Sequence, residues 1–155
     1  LISGGTGIDS FSQEMPHAYP EHLEAGTQNL VGIAALNAGV QYVASHQKEI
    51  IEKERFLLER LYSGLEGYVE FYSSLQNSTS IVAFNIPHKD SAYVSDVLNY
   101  KYGIITRCGA HCAPLMHKHL KTEEKGIVRL SLSFQNSIED IDLAIRAIRE
   151  ISNDY

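Results

Sequence analysis

From Thr27 to Leu65 the apolar residues of this chain recur at helical spacing, and beyond Gly67 they alternate with polar ones. A chain whose period changes from about 3.6 to 2 builds helices and strands in separate stretches, the pattern of an α+β layer fold. Thr27 reads as the cap of a first helix carrying Leu30, Ile33, Ala34, Val40, Tyr42 and Val43, whose small residues permit close packing on both sides, so it is expected to be mostly buried. After Ser45 a second, amphipathic helix is predicted to run to about Leu65. Ile50, Leu57, Leu58, Leu61 and Leu65 lie on one face, Lys48, Glu52, Lys53, Glu59 and Arg60 largely on the other, and Gly64 and Gly67 mark its end.

Tyr68 to Tyr72, Ser80 to Ile86, Ile104 to Arg107 and Ile127 to Phe134 read as strands, with a helix from Asp90 or Ser91 to Tyr102 and a last helix from Asn136 or Ser137 to about Ile151. In the last strand Val128, Leu130 and Leu132 alternate with Arg129, Ser131 and Ser133, which turns Arg129 away from the core, where a ligand contact would sit. This predicts a small α+β domain over residues 46–155, a short, mainly antiparallel sheet with helices packed on one side. Residues 1–26, rich in Gly, Pro and His, read as extended loop. The first 45 residues then belong to a different domain.

The 155 residues leave room for one sizeable core. A net charge of -6, with the basic residues scattered, argues against a nucleic-acid or anionic-membrane surface. No apolar run approaches the roughly 20 residues that span a bilayer, and the opening residues lack the pattern of a signal peptide. Two cysteines make no disulfide framework, so reduced thiols and a cytoplasmic location are expected.

The chemistry concentrates in Arg107-Cys108-Gly109-Ala110-His111-Cys112-Ala113-Pro114. A thiolate is the reacting species of cysteine, and nearby Arg or His⁺ favours it, so Cys112 is a candidate nucleophile; a small buried hydrophobe is the plainer alternative. Cys108 reads as a packing residue. His111 could tune the thiol or relay a proton, or be a hydrogen-bonded structural histidine. His111, Cys112, His117 and His119 lack the spacing of a zinc site, so no metal is expected. Gly4-Gly5-Thr6-Gly7 alone is a weak phosphate signal.

Taken in order, the Gly-Gly-Thr-Gly run, Glu24-Ala25-Gly26-Thr27-Gln28-Asn29, Arg-x-Gly-x-His-Cys-Ala-Pro, Val-Arg-Leu-Ser and Asn-Ser-x-Glu-Asp-Ile-Asp resemble the C-terminal part of a pyridoxal-phosphate-dependent cysteine desulfurase or selenocysteine lyase of the class V aminotransferase group. The resemblance implies the small C-terminal domain of a fold-type I transferase over residues 46–155, preceded in residues 1–45 by a remnant of the large cofactor domain. It implies conversion of L-cysteine to L-alanine, with the sulfur passed as a persulfide to Cys112 beside His111 as the catalytic residues. Arg129 would hold the substrate carboxylate, with Arg107 as a second arginine near it. Gly5, Thr6 and Gly7 would reach the cofactor phosphate of the partner subunit in a homodimer, and a protein could accept the sulfur.

The chain opens in the middle of a loop, and none of its seven lysines has the Ser-x-His-Lys setting of the family's Schiff-base lysine. It therefore reads as a fragment that by itself neither holds the cofactor nor catalyses. A class V aminotransferase or selenocysteine lyase is the alternative within the family, and a non-catalytic binding module the alternative outside it.

Overall fold

The computed structural model describes residues 4, 5 and 7–154. The chain divides into two compact units, Leu1–His46 and Gln47–Tyr155. In the first, an extended loop carries one 3-10 turn, Glu21–Leu23, and leads into helix α1, Leu30–Leu65. The cap of α1 is Asn29 and not Thr27: the Gly32 amide donates to Asn29 Oδ1 at 2.9 Å, the first-turn bond that a short polar side chain one residue before the helix can make.

Two expectations about this helix are corrected. The break at Ser45 is absent, and α1 is continuous over 36 residues. Ser45 Oγ donates to the carbonyls of Gln41 at 2.8 Å and Tyr42 at 3.0 Å, so its hydroxyl is spent inside the helix instead of capping a new one. Ala44 to Glu49 contains no Gly or Pro to stop the ladder. The opening turns are also exposed, not buried: Leu30, Val31 and Leu36 are 72%, 82% and 68% accessible. Among the described residues of the first unit, the only other regular element is that short turn, which cannot cover a helix apolar on every side.

The second unit is built on three antiparallel strands in the order β1 (Glu70–Phe71), β2 (Ile81–Asn85), β3 (Val128–Ser131). Phe71 pairs with Phe84, and Val82, Ala83 and Phe84 pair with Leu130, Arg129 and Val128. Because side chains alternate across a strand, this register puts Val82, Phe84, Val128 and Leu130 on one face. There they join Leu57, Leu58, Leu61 and Leu65 of α1, Val94 and Leu98 of α2 (Ser91–Tyr102), and Ile141, Ile148 and Ile151 of α4 (Ile138–Asn153) in one buried cluster. The expected α+β layer is therefore found, with its helices on one side of the sheet.

The helix ends follow local chemistry. Asp90 accepts the amides of Ala92 and Tyr93 at 2.9 and 3.2 Å, and Gly103, at φ 68°, closes α2 in the left-handed conformation that glycine adopts without steric cost. Ser137 and Asp140 form a reciprocal capping box at the start of α4. Gly64 lies where α4 crosses α1: a Cβ there would fall 2.4 Å from Ile145 Cδ1, and Arg149 Nε donates to the Gly64 carbonyl at 2.7 Å.

One further expectation changes. Ile104 to Arg107 does not form a strand but a single bridge, Arg107 to Arg129, between turns at Gly103 (φ 68°) and Gly109 (φ 91°) that bend the chain away on either side. Beyond Cys112, Pro114 opens a short helix, α3 (Pro114–Leu120). Proline at the first helical position has a preset φ and no amide to waste, and Leu115 to Leu120 contains no breaker.

Candidate functional site

Arg107 and Arg129 exchange both backbone hydrogen bonds, Arg107 N to Arg129 O at 3.2 Å and Arg129 N to Arg107 O at 2.7 Å. Residues paired this way stand directly opposite on one face of the sheet, here the face away from Val128 and Leu130. Two like charges so placed repel, and among the described residues neither guanidinium has a carboxylate partner. Arg129 is half-buried, and its Nε is enclosed with no hydrogen-bond partner. A buried unsatisfied donor costs about 1 to 3 kcal/mol, a cost that an anion seated between the arginines would remove.

The thiol enters from a tight turn. The Ala113 amide donates to the Ala110 carbonyl at 2.9 Å, and the two central residues, His111 and Cys112, have φ of 52° and 57°. Two consecutive non-glycine residues in the left-handed region cost about 1 to 3 kcal/mol each unless their surroundings hold them. The turn sets the exposed Cys112 thiol 3.4 Å from Arg107 Nη2, which donates to its sulfur.

His111 is tied down on the other side, its Nε2 donating to the Ile127 carbonyl at 2.9 Å. Partial burial holds its pKa below the ordinary imidazole value of 6.5; the Ile127 carbonyl opposes this, and the positive Arg129 and Arg107 add to the lowering. At neutral pH the ring is therefore uncharged. Because a carbonyl can only accept, the proton sits on Nε2 and leaves Nδ1 as a bare, buried lone pair with no partner.

Cys108 belongs to the other face. The Arg107–Arg129 bonds and the bond from Ile127 N to Gly109 O at 3.2 Å flank a Cys108–Val128 pair, so Cys108 shares the side of Val128 and points away from the arginines. Its reading as a packing residue fits that position.

A buried frame behind the site was not anticipated from the sequence. Asn85, 2% exposed, donates from Nδ2 to the Gly126 carbonyl at 2.8 Å and accepts the Val128 amide at 3.3 Å. Ser91 Oγ donates to the Lys125 carbonyl at 2.6 Å. Gly126, at φ 63°, has no room for a side chain, since a Cβ would fall 2.7 Å from Gly109 Cα and 2.9 Å from Ser91 Oγ. The available signals were faint: an Asn near the end of an apolar strand, two residues before Pro87, and a Gly between a charged run and the next strand.

Of the residues expected to act, Cys112, His111, Arg107 and Arg129 are thus together in the second unit. Gly5 and Gly7 are in the first, and Thr6 lies outside the described residues. The Gly5 carbonyl accepts the Gly26 amide at 2.7 Å, while Gly7, at φ 78°, has open space where a Cβ would stand. Among the described residues no group of three or more His, Cys, Asp or Glu side chains is placed to hold a metal ion, and no helix is long and apolar enough to cross a membrane.

The chain is 34% identical over 158 residues to a probable cysteine desulfurase of Methanothermobacter thermautotrophicus, covering 98% of this chain and 39% of that protein. It is 35% identical to one of Pyrococcus abyssi, covering 97% and 38%. The apo structure of a cysteine desulfurase from Thermococcus onnurineus superimposes with a TM-score of 0.83 at 30% identity, over 97% of this chain and 38% of that one. A cysteine desulfurase from Escherichia coli shares the fold, with a TM-score of 0.79 at 24% identity. The chain thus spans about two fifths of the length of these relatives. The profile of the aminotransferase class-V family matches residues 1–143, and the chain belongs to that family.

Proposed function

We propose that this chain is the part of a pyridoxal-phosphate-dependent cysteine desulfurase that receives the sulfur, with Cys112 as the nucleophile and Arg129 as the anchor of the substrate carboxylate. The observation that carries the reading is the conjunction of an exposed thiol 3.4 Å from Arg107 with a second arginine, cross-paired to the first, whose buried Nε has no partner. A carboxylate on Arg129 satisfies that donor in a charge-assisted, two-pronged bond that lysine cannot make. The Arg107 contact then holds the Cys112 sulfur beside the bound substrate.

The glycine turn fits the phosphate end of such a cofactor, because Gly7 has a backbone open to an approaching anion. The unit that carries the turn, residues 1–46, contains no lysine, so it offers no amine for covalent attachment. When bound, the cofactor withdraws electrons from the carbon skeleton of the substrate, which makes the loss of its sulfur feasible. The Cys112 thiolate attacks the sulfur of L-cysteine: an S–S bond forms, the C–S bond breaks, and its electron pair stays with the carbon fragment, which takes up a proton and leaves as L-alanine. Neutral His111 stands next to the thiol without adding a competing charge.

Residues 1–45 are assigned to the cofactor domain and 46–155 to the small domain, which the division of contacts between His46 and Gln47 supports. The exposed apolar flank of α1 from Leu30 to Val43 is then covered by the rest of the enzyme, a homodimer that passes its sulfur to a protein acceptor. Two free thiols suit a reducing cytoplasm. The test is Cys112→Ser in the complete protein, followed by mass spectrometry for persulfide after exposure to L-cysteine. Persulfide formation is expected to vanish with cofactor absorbance unchanged; an undiminished yield of alanine would refute the assignment.

A further inference from the structure

Among the described residues of α3, His117 is the buried one, 3% exposed, in a short helix that follows Cys112 directly. Burying an imidazole is costly unless its polar atoms are paired. Its Nδ1 lies 2.9 Å from Thr122 Oγ1 and 3.3 Å from the Thr122 carbonyl, and Thr122 is itself 1% exposed. The carbonyl can only accept, so Nδ1 carries the proton and donates. The backbone repeats the tie: Thr122 N donates to His117 O at 3.0 Å, and Gly126 N to Thr122 O at 2.9 Å.

The face of the His117 ring is occupied by His111, with centroids 6.0 Å apart and planes within 14°. His111 in turn is bonded to the Ile127 carbonyl at the entrance to β3. The residue just before Cys112 is therefore held between a carbonyl at the edge of the sheet and a buried ring. That restraint matters because His111 and Cys112 both occupy the left-handed region, where unsupported side-chain-bearing residues relax. Relaxation of the turn would carry the thiol away from Arg107.

We propose that His117 is a positioning residue for Cys112: anchored by Thr122, its ring backs the His111 ring and holds the turn that sets the thiol against Arg107. The role rests on Cys112 being the sulfur-accepting nucleophile, but its test does not need turnover. The rate of iodoacetamide alkylation of Cys112 at fixed pH is followed by mass spectrometry, which separates it from Cys108.

His117→Asn keeps a donor near the Nδ1 position and loses the ring, whereas His117→Phe keeps a ring and loses the donor. In His117→Asn the alkylation rate of Cys112 is expected to fall severalfold as the turn relaxes and the thiol leaves Arg107. His117→Phe should recover most of that loss, and Cys108 should not respond in either variant. His117→Ala should match the Asn variant, and if it fails to fold, as judged by circular dichroism, the Asn and Phe pair decides the matter. A Cys112 rate unchanged in folded His117→Asn overturns the proposal, as does a rate kept by Asn and lowered by Phe. Failure of the nucleophile assignment would show itself separately, as persulfide formation in Cys112→Ser with the His117 effect on the thiol intact.

Discussion

Val128 and Leu130 differ from Arg129 by one position along β3, yet they answer to different physics. The first two are buried in one cluster with leucines and isoleucines of three helices. Arg129, on the reverse face, is paired with a second cation, has a buried donor without a partner and is next to a turn of left-handed residues. One face gains stability from burial; the other carries unfavourable features that the first must support. Local disfavour of this kind persists only where surrounding structure over-determines it, and it concentrates where ligands bind.

If that division holds, a cut into the apolar face should damage the fold without touching the chemistry. Phe84, fully buried and paired with Val128, is the sharpest case: Phe84→Ala should cost about 3 to 5 kcal/mol, read as a lowered midpoint in urea. At temperatures where the variant is still folded, the alkylation rate of Cys112 should be unchanged. A shift would mean that the two faces are coupled through β2.

The reciprocal cut is Arg129→Lys, which keeps the charge and loses the fork. Catalytic efficiency with L-cysteine in the complete enzyme should fall by about tenfold or more, a charge-assisted hydrogen bond being worth about 1.5 to 3 kcal/mol, with little change in melting temperature. Unchanged efficiency with a lowered melting temperature would make Arg129 structural and move the carboxylate to Arg107.

A smaller effect follows from the lowered pKa of His111. In the unfolded chain the imidazole takes up a proton as pH falls through about 6.5, while in the folded protein it resists until a lower pH. The associated stability is complete above the unfolded value and is lost progressively as pH falls from there toward the folded value. Urea midpoints compared between pH 7.5 and 5 should show a fall in the wild type that is reduced in His111→Gln; an equal fall in both would remove His111 from the explanation.

Cys108→Ser should do least. Its thiol is half-buried on the core side, so stability should change by less than about 1 kcal/mol and persulfide should still form on Cys112. Loss of persulfide in this variant would put both thiols in one pathway and contradict the opposite-face placement.

The alternation Val128-Arg129-Leu130-Ser131 is enough to separate the core face from the opposite one, because strand geometry is local and has a period of two. The capping box at Ser137 and Asp140, the cap at Asp90 and the stop at Gly103 are equally legible, since each bond spans only a few residues. The choice of Cys112 over Cys108 rests on the order of residues around it, whereas family membership was legible in the succession of motifs. Ser45 misled because a serine that caps a helix and one that bonds back within it have the same local sequence.

What the tertiary structure alone decided is how distant segments meet. Arg107 and Arg129 became one site through a single bridge across 22 positions, Cys108 was turned from Cys112 by its pairing with Val128, and Gly109 came against Gly126 closely enough to exclude a methyl group. His117 acquired its stack on His111 in the same way. None of these contacts has a period or a short-range signature. Each depends on where a turn releases the chain against a sheet edge, and that is fixed only once the buried core has formed.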